Sequence, residues 1–252
     1  MSDPGAAWFL FLIGIPLIGA FGAALLRGRA SDGIAVAASG AGAAVACALV
    51  ATRGIAGTTV RLGGIPILDR LTGHPIPLFG FALDPLSSMV LLGSTVIGFL
   101  CVLYSTAYVG PQNRETPARD DRRAYSFWML LFIAAMSGLA VSSTLFQMFL
   151  FWEVTTVCSW ALIGFYEEEP ESQAAAQKAF LMTAGGGLCL LAALLAVVGL
   201  TGSADFDALG RLPAEVRAGA ATALVLLLCV GAWAKSAQVP FHTWLPSAMV
   251  AP

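Results

Sequence analysis

The chain has 252 residues, 58% of them hydrophobic and 11% charged, with a mean hydropathy of +0.82. A soluble domain carries about a quarter charged residues. A chain this apolar has too little polar surface to cover itself in water, so a soluble globular enzyme is excluded. The 13 basic and 15 acidic side chains leave a net charge of −2 with no basic stripe, which argues against nucleic acid as a partner.

The charges gather in short islands between apolar runs of about 20 residues, the length that crosses a bilayer as helix. The first run, Ala6 to Leu26, contains Pro16. Asp3 precedes it and Arg27 and Arg29 follow, so it lacks a signal peptide's basic leading flank and reads as a spanning helix. A second span runs from Ile34 to Thr52. In the polar interval 53–83, Thr58 to Leu62 followed by Gly63-Gly64 predicts a small extramembrane hairpin. Asp84-Pro85 is a helix start, carboxylate cap then proline in the first turn, and opens a third span to Val109. An arginine-bearing loop, Pro111 to Arg123, follows.

Apolar character then continues from Ala124 to Phe165, with no charge before Glu153. As one helix this would be roughly 60 Å long, twice the hydrocarbon thickness. A fold-back at Ser142-Ser143 therefore divides it into spans four and five. Span six covers Ala174 to Leu200 and span seven Gly219 to Val239, separated by a polar interval holding Asp205, Asp207, Arg211, Glu215 and Arg217. The fold class is an all-α integral membrane protein of about seven transmembrane helices. Arg27, Arg29, Arg114, Arg119, Arg122 and Arg123 lie on one side, against Arg53, Arg61, Arg70, Arg211 and Arg217 on the other. The bias places the N-terminus outside and the C-terminus in the cytoplasm. No internal repeat is visible.

The five cysteines lie inside the apolar runs without a C-x-x-C pair and read as small hydrophobes. With two histidines in the chain a protein-only metal cage is not expected, and no haem or iron–sulfur ligand set is present, so no cofactor is assigned. Trp8, Tyr104, Tyr108, Tyr125 and Tyr166 stand near span ends, where interfacial anchoring explains them.

Two ionisable residues stand deep in apolar helices, Glu153 and Lys235. Each costs about 2.5–3.5 kcal/mol at the membrane centre, and such groups mark ion or proton pathways. Desolvation and a neighbouring anion act on an amine's proton affinity in opposite senses, so a lysine facing a carboxylate loads and unloads as that carboxylate's charge changes. A buried ion pair that only orients two helices is the structural alternative. Pro240 removes a backbone hydrogen bond to the Ser236 carbonyl and breaks the seventh helix beside Lys235; broken helices at membrane depth line hydrated ion sites, and proline kinks also occur at ordinary helix ends. His242, seven residues past Lys235, either passes protons onward or sits at the interface with Trp244. Lys178 enters span six only a few residues deep and either takes part or snorkels to the headgroups. Thr156 and Ser236 either hold water or bond backbone.

At these residues the sequence resembles a known family. Phe151 to Tyr166 (FWEVTTVCSWALIGFY) and Lys235 to Pro252 (KSAQVPFHTWLPSAMVAP) are similar to signature helices of antiporter-like proton-translocating subunits. Such subunits occur in respiratory complex I, Mrp-type cation/proton antiporters and membrane-bound hydrogenases. Leu83 to Ser88 with Leu103 to Gly110 resembles the family's third helix, and Ala174 to Phe180 its sixth. The resemblance begins near Leu83, dividing the chain into 1–82, two helices and an extramembrane loop, and 83–252, the first part of the antiporter-like domain.

The resemblance implies an antiparallel helix bundle with inverted repeats and a broken seventh helix. It implies that Glu153 gates or couples, that Lys235 carries the proton, and that Lys178 matches a sixth-helix lysine. Thr183 to Leu188 is closer to the antiporter and hydrogenase branches than to the complex I branch. Family members are about twice as long, so a fragment, a split subunit completed by a separate chain, or a truncated reading frame is expected. The function implied is movement of H+, with Na+ as the candidate exchanged ion, alongside other membrane subunits of an antiporter or of a quinone-reducing or hydrogen-evolving translocase. A non-conducting scaffold subunit and an inorganic-carbon energising subunit of the same fold are the alternatives.

Overall fold

The computed structural model describes residues 4–53, 58–61, 79–109, 122–211 and 214–252. Helices α1 (Pro4–Leu25) and α2 (Arg29–Arg53) are joined through Gly28, whose φ of +58° is a left-handed conformation that glycine adopts without penalty. Strands β1 (Thr58–Arg61) and β2 (Gly80–Leu83) pair in a two-stranded sheet within the interval where a hairpin is expected; Gly63-Gly64 lies outside the described residues, as does most of the loop Pro111 to Arg123.

The third span is interrupted. Helix α3 (Pro85–Leu92) passes through a π-helical turn (Gly93–Ile97) into α4 (Gly98–Tyr108). At its start the Asp84 carboxylate accepts from the Ser87 backbone N–H at 2.6 Å with Pro85 in the first turn, as the Asp-Pro pair predicts. That N–H holds the Asp84 carboxyl below the ordinary aspartate range, burial opposing it in part. A depressed carboxylate contributes stability that is present above its unfolded value and lost as pH falls through the folded one. Asp84→Ala is therefore expected to cost about 1 kcal/mol at neutral pH, and less in acid. Thermal unfolding at the two pH values, with Asp84→Asn as a cap that does not titrate, checks this.

Helices α5 (Arg122–Ala140) and α6 (Leu145–Ile163) are separated by four residues, at the predicted fold-back. Thr144 caps α6 by accepting from the Gln147 N–H at 3.2 Å, and the Ser143 N–H donates to the Gly80 carbonyl. The Gln147 side chain, almost fully buried, accepts from the Gly80 N–H at 2.8 Å and ties the strand segment to the first turn of α6. Helix α7 (Pro170–Thr201) begins four residues before the expected span and ends at Gly202 in the left-handed region, φ +66°. A 3-10 turn (Phe206–Arg211) leads to α8 (Ala214–Lys235). The chain closes with a 3-10 turn (Phe241–Thr243), a short α9 (Trp244–Ser247) and a last 3-10 turn (Ala248–Val250).

Among the described residues six helices are long and apolar enough to cross a membrane, and the apolar part of α8, Ala221–Lys235, is a shorter seventh. The molecule is an all-α integral membrane protein apart from its small strand pair. By packing it divides into two units. One holds residues 1–60, 82–141 and 252; the other holds 61–81 and 142–251. That division is distinct from the sequence boundary at 82/83, which marks where the family resemblance begins.

The first unit contains α1 to α5. Its core is Ala20, Ala23, Ala35, Ala38, Val102, Leu130 and Ile133. Lipid is as apolar as leucine, so helices here associate through close packing, which small residues permit. A methyl group on Gly19 would collide with the Ala38 side chain, and one on Gly98 with Ile133. Asp32, in the first turn of α2, pairs with Arg122 at 2.8 Å, both side chains mostly shielded. Tyr125 is buried against a cavity of about 500 Å³ that it lines with Tyr104 and Tyr108. Tyr166, in the second unit, is buried edge-on against Phe165. These two tyrosines are packed inside rather than presented at the interface, whereas Trp8, Tyr104 and Tyr108 are exposed as anchors would be.

The second unit contains α6, α7, α8 and the terminal segment. Leu145, Ala193, Leu194, Val197, Ala208 and Leu224 form one core cluster. Ile163, Ala175, Ala176 and Ala179 form another, on which Trp244, Ala248 and Val250 pack.

Candidate functional site

Trp152, Glu153 and Thr156 lie near the middle of α6, and their spacing of three and four puts them on one face. Lys235 is the last residue of α8. Its amine donates to the Thr156 hydroxyl at 2.7 Å and to the Trp152 carbonyl at 3.2 Å. It also lies 5.5 Å from the centroid of the Trp152 ring, within cation–π range. The Glu153 and Lys235 charges reach one another electrostatically, although among the described residues no ion pair within 4.0 Å joins them. Glu153 Oε1 is buried and accepts no hydrogen bond. The closed Glu–Lys pair of the structural alternative is thus not the arrangement present; the amine is seated on Thr156 and the Trp152 carbonyl, and the carboxyl lies against Gly187.

Space for the carboxyl comes from α7. The run Gly185-Gly186-Gly187 presents three different surroundings. A methyl group on Gly187 would collide with Glu153 Oε1, one on Gly186 with the Ala234 side chain of α8, and one on Gly185 would meet nothing within 4 Å. Gly231 of α8 sits against Gly186 and Leu190, so α7 and α8 touch almost backbone to backbone just before Lys235.

The end of α8 explains why Lys235 stands where it does. The helix stops at Lys235, four residues before the expected end of the span. The Gln238 N–H donates to the Trp233 carbonyl at 2.9 Å, and Ala237 takes a left-handed φ of +51°. This is a Schellman-type termination with alanine where glycine is usual. The freed Ala234 carbonyl accepts from the Trp244 indole N–H at 2.9 Å. Pro240 follows a cis peptide and precedes the Phe241–Thr243 turn, and it lies beyond the end of α8. Ala237→Gly is expected to stabilise this termination by up to about 1 kcal/mol, the left-handed penalty removed less the added unfolded-chain freedom. Slower hydrogen exchange at the Gln238 amide is the measurement.

His242 and Lys178 are placed differently from Glu153 and Lys235. Because the helix ends, the two-turn register from Lys235 to His242 is not kept, and His242 is exposed in its 3-10 turn. Lys178 lies in the third turn of α7, since that helix starts at Pro170. Its amine donates to the Ser247 hydroxyl at 3.2 Å. Thr243 adds a contact to Met182 sulfur at 3.7 Å, so the terminal segment is fastened along α7. Ser236 bonds the Ala232 carbonyl.

Sequence reasoning missed the Trp152 carbonyl and ring, the Gly187 recess and the Trp244 cap. The glycine run was the available signal: adjacent glycines in a 32-residue helix mark places where something approaches closely.

Residues 142–252 match the family described as NADH:quinone oxidoreductase/Mrp antiporter, transmembrane. Chloroplastic NAD(P)H-quinone oxidoreductase subunit 5 of Lemna minor is 37% identical over 179 residues, covering 69% of this chain and 23% of that protein. The same subunit of Ipomoea purpurea is 39% identical over 181 residues, covering 69% and 24%. A chain of the Mrp complex from Dietzia sp. DQ12-45-1b superposes with a TM-score of 0.78 at 28% identity, covering 98% of this chain and 25% of that one. A chain of the membrane-bound sulfane sulfur reductase, an archaeal respiratory membrane complex, shares the fold with a TM-score of 0.75 at 22% identity, covering 95% and 36%. The chain thus spans about a quarter of the length of these curated relatives, a smaller share than the half that the resemblance implies.

Proposed function

We propose that the chain is an antiporter-like membrane subunit that moves protons across a bacterial plasma membrane through a relay of Glu153 and Lys235. The supporting observation is the placement of Lys235 and Glu153. A titratable amine sits on the carbonyl of Trp152, the residue before Glu153, and Glu153 carries a buried, unpartnered carboxyl oxygen, both on apolar helices. A proton resting on either group changes the field at the other, so loading one favours unloading its neighbour. Lys178 and His242 enter as outer members, Lys178 through its bond to Ser247 and His242 from the exposed turn.

In this reading the N-terminus is outside and the C-terminus cytoplasmic, and Na+ is the exchanged ion where the parent complex is an antiporter. The partners are other membrane subunits, among them a separate chain carrying family segments outside this sequence. Electron donors act on those partners, not on this chain. Proton uptake by vesicles carrying the assembled complex tests the proposal. Flux in Glu153→Gln and Lys235→Ala equal to wild type would replace it with a non-conducting scaffold.

A further inference from the structure

We infer that Thr156 is a positioning residue that seats the Lys235 amine apart from the Glu153 carboxyl, keeping the two in charge reach without letting them close into an ion pair. The inference rests on the relay reading above.

Thr156 is shaped for this by its own hydrogen bonding. A threonine inside a helix can donate its hydroxyl proton to the carbonyl four residues back, and Thr156 does so to Trp152 at 3.2 Å. With its proton committed, the hydroxyl turns its lone pairs outward and serves as an acceptor, and the amine lies 2.7 Å away. The Trp152 carbonyl supplies a second acceptor and its ring a face for the cation. Thr155 also donates to that carbonyl, at 2.7 Å. Glu153 has a separate seat, the recess at Gly187 on α7. The amine is therefore received by α6 and the carboxyl by α7.

The separation matters because of dielectric. Two opposite charges in contact inside a low-dielectric bundle attract strongly, and a closed pair fixes its proton. A neutral hydroxyl and a carbonyl satisfy the ammonium without that trap. They also remain usable acceptors once the amine has given up its proton, since a neutral amine still donates. Thr156 thereby leaves the amine free to exchange.

The test is proton flux through the full complex in vesicles, with a structure of one variant. Thr156→Val keeps the β-branched shape and removes the hydroxyl; Thr156→Ser keeps the hydroxyl. Thr156→Val is expected to slow flux about tenfold, the loss of one hydrogen bond to a charged group. Thr156→Ser is expected to retain most of the rate. In a cryo-EM map of the assembled Thr156→Val complex, the Lys235 amine is expected to have moved onto the Glu153 carboxyl. Wild-type flux in Thr156→Val, equal loss in Thr156→Ser, or an amine still resting on the Trp152 carbonyl in Thr156→Val would each overturn the inference. Lys235→Ala, measured alongside, separates the two levels: if it abolishes flux while Thr156→Val does not slow it, only the positioning role falls.

Discussion

Lys235→Ala is expected to lower proton flux by about a hundredfold or more, the scale of losing a positioned proton-transfer group, while leaving the complex assembled. Assembly survives because the packing of α7 on α8 is made by Gly186, Gly231 and Ala234, before the lysine. Lys235→Arg sharpens the point. Arginine keeps the positive charge, the cation–π contact and donors for Thr156 and the Trp152 carbonyl, but it does not give up its proton in proteins. If the amine must load and unload, Lys235→Arg fails as Lys235→Ala does. If a fixed charge suffices, Lys235→Arg runs near the wild-type rate and the relay is wrong. Dye-quench measurements on vesicles, normalised to assembled complex, distinguish the outcomes.

The glycine run of α7 supplies the second large effect, because three adjacent positions separate packing from chemistry. Gly185→Ala meets open space and is expected to be silent. Gly186→Val places branched carbons where the Ala234 side chain and the α8 backbone already are, and neither can rotate away. Overpacking of this kind costs about 1–3 kcal/mol or more, so loss of assembled complex on native gels is expected. Gly187→Ala meets only the end of the Glu153 side chain, which can swing aside. Assembly is therefore expected to persist while flux falls about tenfold or more, since displacing a reacting group by about 1 Å can cost a hundredfold. Equal behaviour of the three variants would show that the recess has no part in seating the carboxyl.

These two cases also mark what could be read before any coordinates. Glu153 and Lys235 stood out because a charge in an apolar run is costly wherever that run folds. Pro240 marked the neighbourhood of the helix end because proline cannot continue a helix, although α8 stops five residues before it. The fold-back near Ser142 followed from length alone, and the Asp84 cap from a local Asp-Pro pair. All of these depend on neighbours in the chain or on the membrane's thickness.

The length of α8 was harder, because it ends by a left-handed alanine that the sequence does not advertise and by an indole ten residues on from Ala234. Lys178 illustrates the same limit. Helix α7 starts at Pro170, and the partner of Lys178, Ser247, comes from a segment 69 residues away.

By itself the sequence determined that this is an all-helical membrane protein, which segments cross, and which ionisable groups are stranded in them, since transfer free energy and backbone satisfaction are local properties. Only the tertiary structure decided that the amine rests on Thr156 and Trp152 and not on Glu153, that the carboxyl has its place against Gly187, and that His242 turns outward. Those outcomes depend on how closely α6, α7 and α8 approach, and close approach is set by small residues from separate helices meeting at one depth.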